Sequence, residues 1–167
     1  MTSSSEPKRD DVLVLVGTRK GGFILSSDAS RRQWSVSEPQ FNDAPGGSGL
    51  SGDIFHMAYD PRDGGTLFAA INSVIWGSEV RSSVDLGKTW KSSSEGLRPS
   101  EGDATVSKVW HVEPGRADEP GVVYAGVEPA ALFKSEDGGD TWGEVGDTRG
   151  GSRTGAGGAS RDSRPGG

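Results

Sequence analysis

The eight-residue pattern Ser-x-Asp-x-Gly-x-Thr-Trp occurs twice in this chain, as SVDLGKTW at 83–90 and as SEDGGDTW at 135–142. A broken third copy, SSDASRRQW, ends at Trp34, so the three tryptophans are 56 and 52 residues apart. A unit of this period is longer than one hairpin. It suits the four short strands of a propeller blade better than a helical repeat. The pattern therefore predicts consecutive four-stranded units.

Short apolar runs separated by glycine and proline support this interpretation. VLVLV, TLFAAI and VVYAGV are rich in β-branched and aromatic residues, and no apolar pattern of helical period competes with them. We predict an all-β fold, a partial β-propeller of about three four-stranded antiparallel blades whose first blade lacks its inner strand. The expected strands are 12–16, 23–26 and 33–37, then 54–59, 66–71, 79–83 and 89–92, then 108–113, 122–127, 132–135 and 141–145.

The blades are expected at 12–38, 53–93 and 107–146, within one propeller domain at 12–146. Residues 1–11 are expected to be disordered. No Val, Ile, Leu, Phe, Tyr, Trp or Met follows Val145, and the remaining segment is rich in glycine, serine and arginine. Such a composition cannot form a core, so 147–167 is predicted to be a disordered tail.

Composition and charge exclude several classes of function. The 24 acidic residues outnumber the 18 basic ones, which argues against a nucleic-acid surface. Cysteine is absent, so disulfides, thiolate metal sites and cysteine nucleophiles are excluded. The charged start, MTSSSEPKRDD, is unlike a signal peptide, and no segment approaches the roughly 20 apolar residues of a membrane span. The expectation is a cytoplasmic protein without nucleic-acid or membrane partners.

The boxes match the Asp-box, or BNR, repeat of sialidase-like and sortilin-like β-propellers. The segments VLVGTRKGGFIL, YDPRDGGTLFAAINS and WHVEPGRADEPGVVYAGVEPAALFKSEDGGDTW resemble the bacterial YVTN/BNR-like repeat β-propeller family, whose members are often labelled glycosyl hydrolase or exo-alpha-sialidase. The resemblance covers about 12–145. Members of that family have about seven blades and roughly twice this length, so it implies that the chain is an N-terminal fragment. Exposed blade edges would then favour self-association.

The box residues are expected to build turns rather than to catalyse. The Asp would accept hydrogen bonds from turn amides with help from the Ser and Thr hydroxyls, the Gly would allow a positive φ, and the Trp would pack between blades. EDGGD, at 136–140, offers only a fragment of the alternating oxygen ligands of a calcium loop. The structural set is Ser83, Asp85, Gly87, Thr89, Trp90, Ser135, Asp137, Gly139, Thr141 and Trp142.

The opposite face is the predicted ligand-binding face. In a four-stranded meander the Asp-box turns mark the bottom, so the loops at 17–21, 72–79 and 127–131 and the blade entries at His56 and His111 lie at the top. Cations, imidazoles, an amide and a carboxylate gathered there favour a small polar or anionic ligand, a glycan or a partner. The two histidines could share a metal only if their blades came together, and no metal or cofactor is predicted. The candidates are Arg19, Lys20, His56, Asn72, Trp76, Trp110, His111 and Glu128.

The family labels suggest an alternative, a sialidase-like glycoside hydrolase acting on glycans. A retaining sialidase needs an arginine triad, a tyrosine nucleophile with a partner glutamate, and an acid/base aspartate. The Arg-Ile-Pro signature of that family is absent. Tyr59 is predicted at a bottom turn and Tyr124 in the middle of a strand, and Glu79 and Glu128 form no defined pair. The catalytic residues are therefore left unknown.

Overall fold

The computed structural model describes residues 11–41, 52–73, 77–99 and 105–146. Within these ranges the chain forms eleven β-strands and one 3-10 turn, at Arg62–Gly64. The strands are β1 (Val12–Thr18), β2 (Gly21–Ser27), β3 (Ser35–Val36), β4 (Asp53–Asp60), β5 (Thr66–Ser73), β6 (Gly77–Ser83), β7 (Lys91–Ser92), β8 (Lys108–Pro114), β9 (Val123–Glu128), β10 (Ala131–Ser135) and β11 (Gly143–Glu144).

The strands form three antiparallel sheets in chain order, β1-β2-β3, β4-β5-β6-β7 and β8-β9-β10-β11. These are three consecutive blades, numbered one to three from the N-terminus, so the predicted all-β partial propeller is confirmed, including the three-stranded first sheet. The top is the end where β1 meets β2, β5 meets β6 and β9 meets β10. The turns that connect β4 to β5 and β6 to β7 lie at the other end, the bottom.

The last strand of each blade is shorter than predicted. β7 and β11 contain two residues each, where 89–92 and 141–145 were expected. For β11 the reason is that the backbone of Trp142 bonds outside its own sheet. The Trp142 amide donates to the Glu95 carbonyl of blade two (2.8 Å), so β11 pairs with β10 only beyond that point.

Blade two is covered on both faces, which explains the nearly continuous burial of β5. Successive side chains of a strand point to opposite faces. Leu67 and Ile71 pack with Ile24 in the cluster between blades one and two, whereas Phe68 packs with Phe133 in the cluster between blades two and three. Inter-blade packing is therefore the core of the protein.

The two complete Asp-boxes form the same turn. In the first, the Ser83 hydroxyl donates to Asp85 Oδ1 (2.8 Å) and accepts from the Gly87 amide (2.8 Å). The Thr89 amide and hydroxyl both donate to the Asp85 carboxylate (2.9 and 2.7 Å). In the second box the corresponding four distances are 2.7, 2.8, 2.8 and 2.5 Å. The glycine at the fifth position has a positive φ, 81° at Gly87.

Each box tryptophan contacts the preceding blade. Trp142 is 6% exposed, and its indole N–H donates to the Ser93 carbonyl (2.8 Å). The indole of Trp90 donates to Gln40 Oε1 (2.9 Å), beyond the last strand of blade one. Trp34, in the broken copy, is 41% exposed. The repeated turn thus serves as a link from one blade to the previous one.

The predicted disordered segments, 1–11 and 147–167, lie outside the described residues apart from Asp11, and Trp76 lies outside them as well. In the part of the chain that is described, no helix has the length and apolar character needed to span a bilayer.

Candidate functional site

The first strands of blades two and three, β4 and β8, lie against each other and carry the same irregularity. The pairing register shifts between Ile54 and His56 in β4, and between Val109 and His111 in β8. A bulge of this kind adds one residue to a strand and redirects its side chains. As a result Phe55 in β4 and the equivalent Trp110 in β8 are both exposed, each followed by a histidine.

The two bulged aromatic side chains stack on each other. The ring centroids of Phe55 and Trp110 are 4.8 Å apart, with 22° between the ring planes. The side chains remain 38% and 46% exposed. The Lys108 ammonium lies 4.9 Å from the centroid of the Trp110 ring, within range of a cation–π contact. An aromatic surface with an adjacent cation is therefore open to solvent here.

The two histidines also meet, with ring centroids 3.8 Å apart. His56 Nδ1 is 3.0 Å from the Val112 carbonyl oxygen, which can only accept, so the neutral ring carries its proton on Nδ1 and leaves Nε2 as an acceptor. His111 Nε2 is 3.5 Å from Glu113 Oε2. Burial, followed by the nearby His111, lowers the pKa of His56. His56 is therefore mostly neutral at pH 7.

The charged residues at the top are largely paired with one another. Arg19 Nε lies 3.3 Å from Asp53 Oδ1, which joins blade one to the start of β4. Lys108 Nζ lies 3.3 Å from Glu128 Oε2 at the top of blade three. Lys20 is exposed in the turn between β1 and β2. Because these opposite charges are paired, the top of the blades presents hydrogen-bonding groups rather than a strong net electrostatic field.

The amide of Asn72 links the tops of blades two and three. Its Nδ2 donates to the Val109 carbonyl (2.9 Å), and its Oδ1 accepts from the Val109 amide (2.6 Å). Ser78 adds a second link, since its hydroxyl donates to the Ser107 carbonyl (2.7 Å). These bonds hold the start of β8 against β5 and β6 of blade two, so Asn72 helps to position the histidines and aromatic rings nearby.

Of the predicted candidates, the fold brings together His56, Trp110 and His111. Glu128 is linked to this group indirectly, because it pairs with Lys108, which in turn contacts the Trp110 ring. Arg19 and Lys20 lie on blade one. Sequence reasoning missed three residues of the site: Phe55, Lys108 and Glu113. Signals for two of them were present. Phe55 aligns with Trp110 in the repeat, and Glu113 is two residues from His111 and so lies on the same face of a strand.

Tyr59 lies at the predicted bottom turn, whereas Tyr124 lies nearer the end of its strand than predicted. The Tyr59 side chain packs against Gly65 at the bottom turn, where a Cβ on that glycine would lie 2.5 Å from the Tyr59 hydroxyl oxygen. Tyr124 is the second residue of β9, near the bottom end of that strand, opposite Glu113 on one side and Lys134 on the other.

No family model matches the chain, and no curated protein matches it. Among solved structures, the chain is similar to YCF48 from Cyanidioschyzon merolae, with 15% sequence identity and a TM-score of 0.46. The match covers 83% of this chain and 41% of that one, so this chain spans less than half the length of that protein. The three antiparallel sheets by themselves define the partial propeller.

Proposed function

We propose that this chain is a β-propeller of the Asp-box, or BNR, repeat family and acts as a binding module for a small polar ligand of the glycan class. The proposed binding surface is formed by Phe55, His56, Lys108, Trp110 and His111. The observation that carries the proposal is the exposed stack of Phe55 on Trp110.

Exposed aromatic rings are costly unless a ligand covers them. Fully burying a large apolar side chain contributes about 1.5–3 kcal/mol, and a ligand that covers these partly exposed rings would gain a fraction of that. The face of an aromatic ring carries partial negative charge, so it attracts the polarised C–H groups of a sugar ring as it attracts a cation. The stacked pair therefore suits the apolar face of a sugar.

The groups around the rings suit the hydroxyls of the same ligand. His56 Nε2 can accept a hydrogen bond, and the half-exposed Lys108 can donate one. Because Lys108 and Arg19 are already paired with carboxylates, a neutral sugar matches the surface better than a strongly anionic one. A few placed polar groups beside an apolar wall are typical of small-molecule sites.

Saturation-transfer NMR of the full chain against a panel of neutral and acidic oligosaccharides tests this function. We expect signal from neutral sugars that is lost in Trp110→Ala. Trp34→Ala is the matched control, since it removes a tryptophan of similar exposure (41%) from blade one. No signal from any sugar, or equal loss in both variants, would contradict the proposal.

The same panel, supplied as fluorogenic glycosides, separates binding from hydrolysis. We expect no turnover. Hydrolysis that disappears in His111→Ala would support the glycoside hydrolase alternative instead.

A further inference from the structure

We propose that His56, His111 and Glu113 together bind one divalent first-row transition cation of the Zn²⁺ class, with an open coordination position facing solvent. This site needs neither the aromatic stack nor a sugar. It shares His56 and His111 with the proposed glycan-binding surface but does not rest on the glycan-binding function.

The three side chains offer one ligand atom each, and these atoms all lie within 4.8 Å of one another. With bonds of about 2.1 Å, two ligands of a tetrahedral zinc ion are about 3.4 Å apart. The separation of His111 Nε2 from Glu113 Oε2, 3.5 Å, is close to that value. The separations from His56, which are within 4.8 Å, can adjust by side-chain rotation, because the side chains of His111 and Glu113 are 55% and 60% exposed.

The His56 ring already has the second contact that metal-binding histidines usually make. A ligating imidazole typically donates its other N–H to a carboxylate or a backbone carbonyl, which fixes the tautomer and the ring orientation. The Val112 carbonyl receives this bond at 3.0 Å. The Nε2 lone pair of His56 is thereby available, and the ring is held by the backbone of the strand that carries the other two ligands.

The chemistry of the ligands selects the class of cation. Two imidazole nitrogens and one carboxylate oxygen suit zinc and its neighbours in the first transition row, whereas calcium and magnesium prefer oxygen ligands alone. Three protein ligands leave a position for water or a further ligand. In the repeat, Ala58 occupies the position in β4 that Glu113 occupies in β8, so blade two contributes only its imidazole.

Calorimetric titration of ZnCl₂ into the untagged full chain, after treatment with a chelator, tests the assignment. The chain has two histidines and no cysteine, so imidazole-based zinc binding can come only from His56 and His111. We expect one zinc ion per chain and at least about tenfold weaker binding in His111→Ala and in Glu113→Gln. Glu136→Gln is the matched control and should bind as tightly as the parent, because this exposed glutamate lies at the bottom of the same blade.

Two results would overturn the assignment: no zinc binding by the parent chain at millimolar metal, or unchanged affinity in both variants. Nitrogen NMR of the two histidines in the parent chain gives a test that does not depend on whether a variant folds. Zinc should shift His56 Nε2 and leave its Nδ1 protonated, and absence of that shift contradicts the site. Trp110→Ala should still bind zinc, so the metal site and the glycan-binding function can fail separately.

Discussion

At the scale of single residues, Asp85 and Asp137 show how a short pattern specifies a turn. Hydrogen bonds from the backbone amide and hydroxyl of Thr89 hold the pKa of Asp85 at about 2, and those from Thr141 do the same for Asp137. Both carboxylates are consequently stabilised in their charged form by the folded turn. All the donors come from within the box, so the same eight residues reproduce the turn in each blade.

The lowered pKa of Asp137 predicts a dependence of stability on pH. Its folded pKa lies below the ordinary value of 3.8, so its contribution is complete above that value and is lost as the pH falls toward 2. We expect the melting temperature of Asp137→Asn to lie below that of the parent at pH 7 and the gap to narrow between pH 4 and pH 2. Asp118→Asn, which removes an exposed carboxylate outside the boxes, should show no such gap. A gap independent of pH would contradict this account.

The box tryptophans predict a second residue-scale effect. Trp142 is almost fully buried between blades and donates to Ser93, so Trp142→Ala should reduce the free energy of unfolding by about 3–5 kcal/mol. Trp142→Phe keeps most of the packing and loses the hydrogen bond, for a cost of about 1–3 kcal/mol. Urea unfolding measures both. If Trp142→Ala destabilises no more than the exposed-site variant Trp34→Ala, the inter-blade role is wrong.

At the scale of elements, the turn between β4 and β5 links two blades at the bottom. Arg62 forms a bidentate pair with Asp60, with both contacts at 2.7 Å, and the side chains are 13% and 11% exposed. The same guanidinium donates to the carbonyls of Arg116, Glu119 and Val122 in the loop between β8 and β9. One side chain therefore joins blade two to blade three.

Removing this guanidinium should be costly because it leaves a buried carboxylate unpaired. We expect Arg62→Met to reduce the free energy of unfolding by about 3–5 kcal/mol, measured in urea. Arg62→Lys should restore only part of this, since an ammonium cannot reproduce the planar set of donors. The double variant Asp60→Asn with Arg62→Met should be less destabilised than the sum of the single variants, and strict additivity would argue against the pair.

At the scale of the whole molecule, each blade depends on its neighbours for burial. Blade two is covered on both faces, whereas one face of blade one meets no other blade within the described ranges. Val14, Val16 and Val36 are 40%, 37% and 61% exposed on that face. Among the described residues β1 pairs only with β2, which leaves a free strand edge as well. Such a surface favours association between copies.

We accordingly expect the chain to self-associate in a concentration-dependent manner, as measured by sedimentation velocity. Val16→Lys combined with Val36→Lys should raise the monomer fraction, because the charges oppose burial of the face. Val84→Lys is the control, since Val84 is 78% exposed in an Asp-box turn and should leave association unchanged. A parent chain that stays monomeric at every concentration would contradict this expectation.

Local chemistry determined the features that could be predicted from the sequence. The period of the boxes, the continuous apolar run of β5 and the placement of turns are local features of the sequence, so the strands and their order were predictable. The short length of β11 was not predictable, because the Trp142 backbone pairs with the preceding blade instead of its own.

The composition of the candidate site was decided by tertiary structure. His56 and His111 are 55 positions apart, and their contact depends on two bulges and on the packing of β4 against β8. The Asn72 amide looked available for a ligand in the sequence, yet in the fold it bonds to Val109, and Arg62 bonds across blades in the same way. Contacts of this kind depend on how one blade packs against the next, which the local pattern of residues does not specify.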